Sequence, residues 1–161
     1  MKTFFVTGGA GFVGSTLCEK IIADNKNNKL IILDKLTYSG NLKYLKNILD
    51  SKRVMFIKGD LLNSKLYSSF LKNVDVAINV AAESHVDNSF NAPIQFTTNN
   101  TLGTHMFLEN CISLNVSKII HISSDEVYGE KLKGEYLENS PLTPTNPYSA
   151  SKAAAELIIN S

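Results

Sequence analysis

The feature that most constrains this chain is its opening: a short apolar strand that runs straight into glycines and then into a helix. Thr3-Phe4-Phe5-Val6-Thr7 is β-branched and aromatic, the composition of a strand covered on both faces. Gly8-Gly9-Ala10-Gly11-Phe12-Val13-Gly14 stops it. Val13, Leu17, Cys18, Ile21 and Ile22 then recur at helical spacing and predict a helix over 12–23. Strand, glycine turn and helix in that order begin a β-α-β unit, whose two strands lie parallel.

The pattern continues along the chain. Apolar runs predict strands over 29–33 (ending in Asp34), 54–57, 75–80 and 118–122. Helical spacing predicts helices over 42–49, over 64–71 with Ser64 as a cap, over 93–114 with Pro93 near the first turn, and over 148–159. Residues 131–147 are polar, carry three prolines and read as loop. Buried strands alternating with helices make an α/β protein: a Rossmann-type doubly wound parallel sheet with helices on both faces. All of 1–161 reads as one domain. Its last helix has no glycine cap, and the strand 118–122 would leave an apolar edge. The expectation is a domain truncated within that helix, with an incomplete sheet.

Bulk properties exclude several partner classes. The chain has 161 residues, 43% apolar and 19% charged, with a net charge of +1. That balance gives no electrostatic case for nucleic acid or for an anionic membrane surface. No run approaches the roughly 20 apolar residues of a membrane span. The first residues are too soon interrupted by glycine to be a signal peptide. Cys18 and Cys111 lie in apolar helical stretches and read as buried thiols of a reducing compartment. His85, His105 and His121 are far apart and no Cys-x-x-Cys occurs, so no metal is expected. A cytoplasmic location is the expectation.

Gly9-Ala10-Gly11-Phe12-Val13-Gly14 fits G-x-G-x-x-G, and Gly8 adds an overlapping G-x-x-G-x-x-G. Glycines let a backbone approach a pyrophosphate, and the helix N-terminus offers it free N–H groups and partial positive charge. Gly14 is expected to let the helix pack closely on the strand. Asp34 lies 20 residues after Gly14 at the end of the second strand. A carboxylate there accepts hydrogen bonds from ribose hydroxyls and repels a 2′-phosphate, which favours NAD over NADP. The neighbouring Lys35 works against that preference. Gly59-Asp60-Leu61 and Ala81-Ala82-Glu83 follow the third and fourth strands, at the strand ends where ligands of open α/β sheets bind.

Tyr148 and Lys152 stand four residues apart on a helix, on one face. An ammonium beside a phenol favours phenolate, and the pair can act as a general base on a hydroxyl. Ser124, after the fifth strand, could hydrogen-bond the same hydroxyl. Asp125 and Glu126 are adjacent acids at that strand end. Two carboxylates in a partly dry cleft repel, so one retains its proton, and elimination of water requires one acid and one base.

Five ordered stretches together resemble one family. They are Thr7 to Ser15, Asp34 to Asn41 (Asp-Lys-Leu-Thr-Tyr-Ser-Gly-Asn), Ala81 to Asp87 (Ala-Ala-Glu-Ser-His-Val-Asp), Ser124 to Gly129 (Ser-Asp-Glu-Val-Tyr-Gly), and Asn146 to Ala153 (Asn-Pro-Tyr-Ser-Ala-Ser-Lys-Ala). The chain is similar to the NDP-glucose 4,6-dehydratases of the extended short-chain dehydrogenases over nearly its whole length. The resemblance implies that 1–161 is the NAD-binding domain with the C-terminal substrate domain absent, NAD as cofactor, a nucleotide sugar as substrate and a homodimer in the full-length family. It implies cofactor contacts at Gly8, Gly11, Phe12, Val13, Asp34, Lys35, Thr37, Gly40, Asp60, Leu61, Ala81, Ala82, Ser84, Asn99, Tyr148 and Lys152. It implies substrate contacts at Ser84, His85, Val86, Ser124, Asp125, Glu126 and Tyr148.

By the same resemblance Tyr148 would take the sugar O4 proton while hydride leaves C4 for NAD. Lys152 would lower the Tyr148 pKa and bind the nicotinamide ribose. Glu126 would remove the C5 proton, Asp125 would protonate the departing C6 hydroxyl, and the hydride would return to C6. Ser124 stands where the family often has Thr, which keeps the hydroxyl. Asn88 stands where bacterial dTDP-glucose enzymes usually have Arg, and Asn99 where they usually have Thr. The stretches 85–90 and 99–105 look more like the eukaryotic UDP-glucose branch. Two alternatives stand beside dehydration: a non-catalytic NAD-binding fragment or pseudoenzyme, and an NDP-sugar 4-epimerase, in which the paired acids would have no purpose.

Overall fold

The computed structural model describes residues 1–131 and 133–161. These divide into two compact units: residues 1–81 with 106–122, and residues 82–105 with 123–161. Among the described residues no helix is long and apolar enough to cross a membrane.

The first unit is built on a five-stranded parallel sheet: β1 (Thr3–Thr7), β2 (Lys29–Asp34), β3 (Val54–Lys58), β4 (Val76–Asn79) and β5 (Lys118–His121). Strand order is β3-β2-β1-β4-β5. β1 therefore sits in the middle, with Thr7 opposite Leu33 on one side and Asn79 on the other. The chain winds outward from β1 through β2 to β3, then returns to the other side of β1 for β4 and β5. The reversal leaves a crevice at the C-terminal ends of β1 and β4, the switch point of such sheets.

Two apolar layers explain why the strands are continuously apolar rather than alternating. Val6, Leu30, Ile32, Val76 and Ile78 pack on one face with Cys18, Ile21 and Ile22 of α1 (Phe12–Asp24) and with Leu45 and Ile48. Phe5, Leu33 and Ala77 face the other side, against Tyr67 and Leu71 of α2 (Ser64–Leu71) and against Phe107 and Cys111. The rings of Phe5, Tyr67 and Phe107 form a triangle with centroids 5.8 to 6.1 Å apart. Period-two side chains thus feed both cores, as a doubly wound sheet requires.

Several local expectations differ from the structure. Residues 42–49 form a single 3-10 turn over Leu42–Leu45, capped by the Asn41 side chain accepting from the Lys43 N–H, with turns beyond it. Ser64 is not the cap of α2; Asn63 occupies that position and makes no side-chain cap bond. Val13, expected on the apolar face of α1, is 55% exposed, and the buried face is Gly14, Ser15, Cys18, Ile21 and Ile22.

The helix expected over 93–114 is three pieces: α4 (Pro93–Phe96), a π-helical stretch (Thr97–Leu102) and α5 (Gly103–Ser113). An additional helix, α3 (Val86–Asn91), precedes them. The π stretch is Thr-Thr-Asn-Asn-Thr-Leu, polar and β-branched where an α-helix is weakest in propensity. In the second unit α3, α4, the π stretch and a 3-10 turn (Asp125–Tyr128) pack on α6 (Pro147–Ile159). Apart from Leu132, which lies outside the described residues, 131–146 contains no helix or strand, as its prolines imply.

Candidate functional site

The glycine turn owes its shape to contacts inside the first unit. Gly8 has φ +66°, and a Cβ there would stand 2.6 Å from the Ala81 backbone nitrogen. Any larger residue is excluded by both sterics and backbone conformation. A Cβ on Gly14 would lie 2.1 Å from the Gly8 carbonyl oxygen, so this glycine makes room for the turn itself rather than for the strand beneath. Gly11 meets only the Gly8 oxygen, at 3.3 Å. A side chain there would press on that oxygen, a milder conflict than at Gly8 or Gly14. Phe12 and Val13, at the first turn of α1, are 85% and 55% exposed.

Asp34 is buried beside this turn. Its Oδ2 accepts the Ala10 N–H at 2.8 Å and its Oδ1 the Leu36 N–H at 2.8 Å. The carboxylate therefore braces the glycine turn, and each oxygen keeps a lone pair for another donor. A Cβ on Gly40 would meet Asp34 Oδ1 at 2.8 Å, so Gly40 keeps that side open. Gly40 closes a turn by donating its N–H to the Thr37 carbonyl, and Asn41 N–H reaches the Ala10 carbonyl. Lys35 is engaged elsewhere: its Nζ lies 2.7 Å from Asp60 Oδ2. Burial pushes the Asp60 carboxyl up, but the Lys35 hydrogen bond, the Leu62 N–H and the Lys35 charge outweigh it and hold it below its ordinary value. Leu61 turns its side chain into the core, and its carbonyl accepts the Tyr67 hydroxyl at 3.0 Å.

A polar ladder that sequence reading missed crosses the C-terminal ends of β1, β4 and β5. Thr7 Oγ1 donates to Asn79 Oδ1 at 2.5 Å and accepts the N–H groups of Val80 and Ala81 at 3.1 Å each. Asn79 Nδ2 pairs with His121 Nδ1 at 3.1 Å. Thr7 thereby holds Ala81 against Gly8.

The second unit carries the remaining candidates. α6 begins with a complete capping box: Asn146 Oδ1 accepts the Ser149 N–H at 2.8 Å and Asn146 N–H donates to Ser149 Oγ at 3.1 Å, with Pro147 in the first turn. That start places Tyr148 in the first turn and Lys152 one turn later. The Phe96 ring meets the Tyr148 ring edge-on at 6.3 Å. Lys152 is 3% exposed. Burial pushes its ammonium down to about 8, with the Glu156 charge pulling the other way.

Ser124 caps the 3-10 turn, accepting the Glu126 N–H at 3.2 Å and lying 3.4 Å from Asp125 Oδ1. Glu126 Oε2 accepts from Asn146 Nδ2 at 2.9 Å. Because Asn146 Oδ1 is committed to the helix cap, its amide group faces Glu126 in one orientation. Asp125, Glu126, Val86 and Asn146 line one cleft of about 290 Å³ with Gly129, Glu130, Tyr136 and Thr145. Ser84 and His85 are exposed just before α3. Tyr148, Ser124 and Lys152 are not among the cleft walls.

Asn99 donates from Nδ2 to Glu83 Oε1 at 3.0 Å. Its neighbour Asn100, 1% exposed, clamps the Glu83 backbone on both sides, accepting its N–H at 2.7 Å and donating to its carbonyl at 3.0 Å. The same amide donates to Ser151 Oγ at 2.9 Å. Widening of the helix to π geometry turns two consecutive asparagines toward Glu83. Motif reading covered Glu83, Asn146 and Ser151 without giving them a role in this network; a buried asparagine inside a helix, poor in propensity, is the signal that could have flagged Asn100.

The relatives agree with this framework. A dTDP-D-glucose 4,6-dehydratase of Dictyostelium discoideum is 42% identical over 174 residues, covering 100% of this chain and 40% of that protein. The crystal structure of a dTDP-glucose 4,6-dehydratase from Streptomyces venezuelae, solved with NAD bound, matches with a TM-score of 0.93 and 39% identity over 97% of this chain and 50% of that one. A UDP-N-acetylglucosamine 4-epimerase from Methanobrevibacter ruminantium matches with a TM-score of 0.91 and 33% identity over 99% of this chain and 49% of that one. The chain spans about half the length of these relatives, or less. The family model described as GDP-mannose 4,6 dehydratase matches residues 5–161, and with the glycine turn, the braced Asp34 and the Tyr148–Lys152 helix in place, the chain belongs to that family.

Proposed function

We propose that this chain carries the cofactor-binding and acid–base groups of an NAD-dependent nucleoside-diphosphate-glucose 4,6-dehydratase. The observation that carries the reading is the cleft shared by Asp125 and Glu126. Two carboxyl groups on one wall suit elimination of water, and 4-epimerisation has no use for them.

The residues of the first unit fit a dinucleotide. Gly11 leaves the outer side of the turn without a side chain, Phe12 and Val13 are uncovered, and Asp34 has acceptor capacity left beside Gly40. Lys35, the cation that would welcome a 2′-phosphate, is paired with Asp60, which favours NAD over NADP. Gly8, Thr37, Asp60, Leu61, Ala81, Ala82, Ser84 and Asn99 complete the proposed cofactor contacts. When bound, NAD supplies the hydride acceptor and later the hydride donor.

The chain's own groups handle the protons. Tyr148 takes the proton of the sugar O4, aided by the Lys152 ammonium. Glu126 removes the C5 proton once C4 is a ketone and gives a proton back to C5 after water has left and C6 is reduced; Asn146 occupies one of its oxygens and leaves Oε1 for the sugar. Asp125 gives a proton to the leaving C6 hydroxyl. Ser124, His85 and Val86 are the proposed sugar contacts, and dTDP-glucose and UDP-glucose are the candidate substrates.

The test is incubation of the chain with NAD and each nucleotide sugar, followed by product analysis. A 4-keto-6-deoxy sugar that disappears with Tyr148→Phe is the expected result. A 4-epimer as the product would overturn the reading. NAD binding without turnover would favour a second reading, a non-catalytic NAD-binding module.

A further inference from the structure

Lys152 is a buried ammonium, and burying a charge demands compensation nearby. The elements packed on α6 offer few ionisable groups: Asp87 on α3, and Asp125, Glu126 and Tyr128 on the 3-10 turn, while α4 and the π stretch carry none. On α6 itself stand Tyr148 and Glu156. Glu156 is the charge that acts on Lys152, opposing the effect of burial.

The geometry accounts for this. Lys152 and Glu156 are four residues apart on α6, one helical turn, and therefore on one face. Glu156 is half-buried, where its field is screened less than at the surface. Its carboxylate is held in place: Glu156 Oε1 accepts from Ser123 Oγ, on the residue before Ser124. A carboxylate tied at one oxygen loses rotamer freedom and keeps its charge at a constant place.

We propose that Glu156, anchored by Ser123, is a positioning residue that supplies the counter-charge holding the Lys152 ammonium in its buried place one turn from Tyr148. Its bearing on catalysis rests on the roles given to Tyr148 and Lys152 above. The electrostatic claim concerns the ligand-free chain and is tested there.

The experiment is an NMR titration of the Lys152 side chain in the wild-type chain and in E156Q, S123A and E156D. Glu156→Gln keeps shape and the Ser123 contact but removes the charge. It should lower the Lys152 midpoint by about one pH unit, a tenfold loss of affinity for the proton. Ser123→Ala should lower it by a smaller amount, and Glu156→Asp should restore most of the shift. A midpoint that stays put in Glu156→Gln overturns the proposal; if that variant does not fold, an unmoved midpoint in Ser123→Ala overturns it instead. Failure of the functional reading would appear separately, as absence of NAD binding by a wild-type chain whose Lys152 still titrates as described.

Discussion

Burying an ammonium leaves a signature in how stability varies with pH. The unfolded chain keeps the Lys152 proton up to the ordinary value of 10.5, the folded chain only up to about 8. Between those values the unfolded state binds more protons, so stability rises as pH climbs from 8. The buried thiols act the other way: burial, with Asp34 and Glu19 adding to it at Cys18, pushes Cys18 and Cys111 from 9.0 up to about 12. Above pH 9 the unfolded state loses thiol protons that the folded state keeps, and stability falls. The Lys152 effect is therefore cleanest from pH 7 to 9. Over that range the stability of wild type relative to Lys152→Met, measured by urea unfolding, should rise by about 1 kcal/mol. Asp34 is the other residue with a measurable energetic role. Replacing it with Ala strands the buried Ala10 N–H and the part-buried Leu36 N–H, and urea unfolding should show a loss of about 2–3 kcal/mol.

At the scale of elements, the glycine turn and the start of α6 are the most exposed to single changes. A methyl at Gly14 would collide with the Gly8 carbonyl, a backbone atom that cannot swing aside. Gly14→Ala should cost about 3 kcal/mol or prevent folding, read by thermal unfolding, whereas Gly11→Ala, with its milder contact on the same oxygen, should cost less stability and weaken NAD binding. At α6, Asn146→Ala removes the cap and should lower stability by about 1 kcal/mol, while Asn146→Ser keeps the cap and most of the stability. The capping box, Pro147 and the Tyr148–Lys152 spacing are written within a few consecutive residues, and motif reading placed this helix almost to its ends. The 93–114 stretch was less legible. Apolar periodicity predicted one helix, but Thr97–Leu102 takes π geometry, and there Asn99 and Asn100 both bond Glu83.

For the molecule as a whole, the proposed chemistry separates into steps that different residues control. With NAD and nucleotide sugar supplied, Tyr148→Phe should abolish every step, by about 10²-fold or more. Glu126→Gln should spare oxidation at C4 and block loss of the C5 proton, so that absorbance of reduced nicotinamide persists at 340 nm without 4-keto-6-deoxy product. What the sequence alone determined was the α/β class, the parallel sheet, the glycine turn with its acidic partner at position 34, and the helix that carries Tyr148 and Lys152 one turn apart. These depend on period, sterics and spacing over a few residues, which any reader of the chain can count. Tertiary structure alone decided the strand order β3-β2-β1-β4-β5, the bracing of Ala10 by Asp34, the tie from Asn146 to Glu126, and the Thr7–Asn79–His121 ladder. Each joins residues some 20 to 70 positions apart, and such pairs leave no local pattern because nothing between them has to repeat for the bond to form.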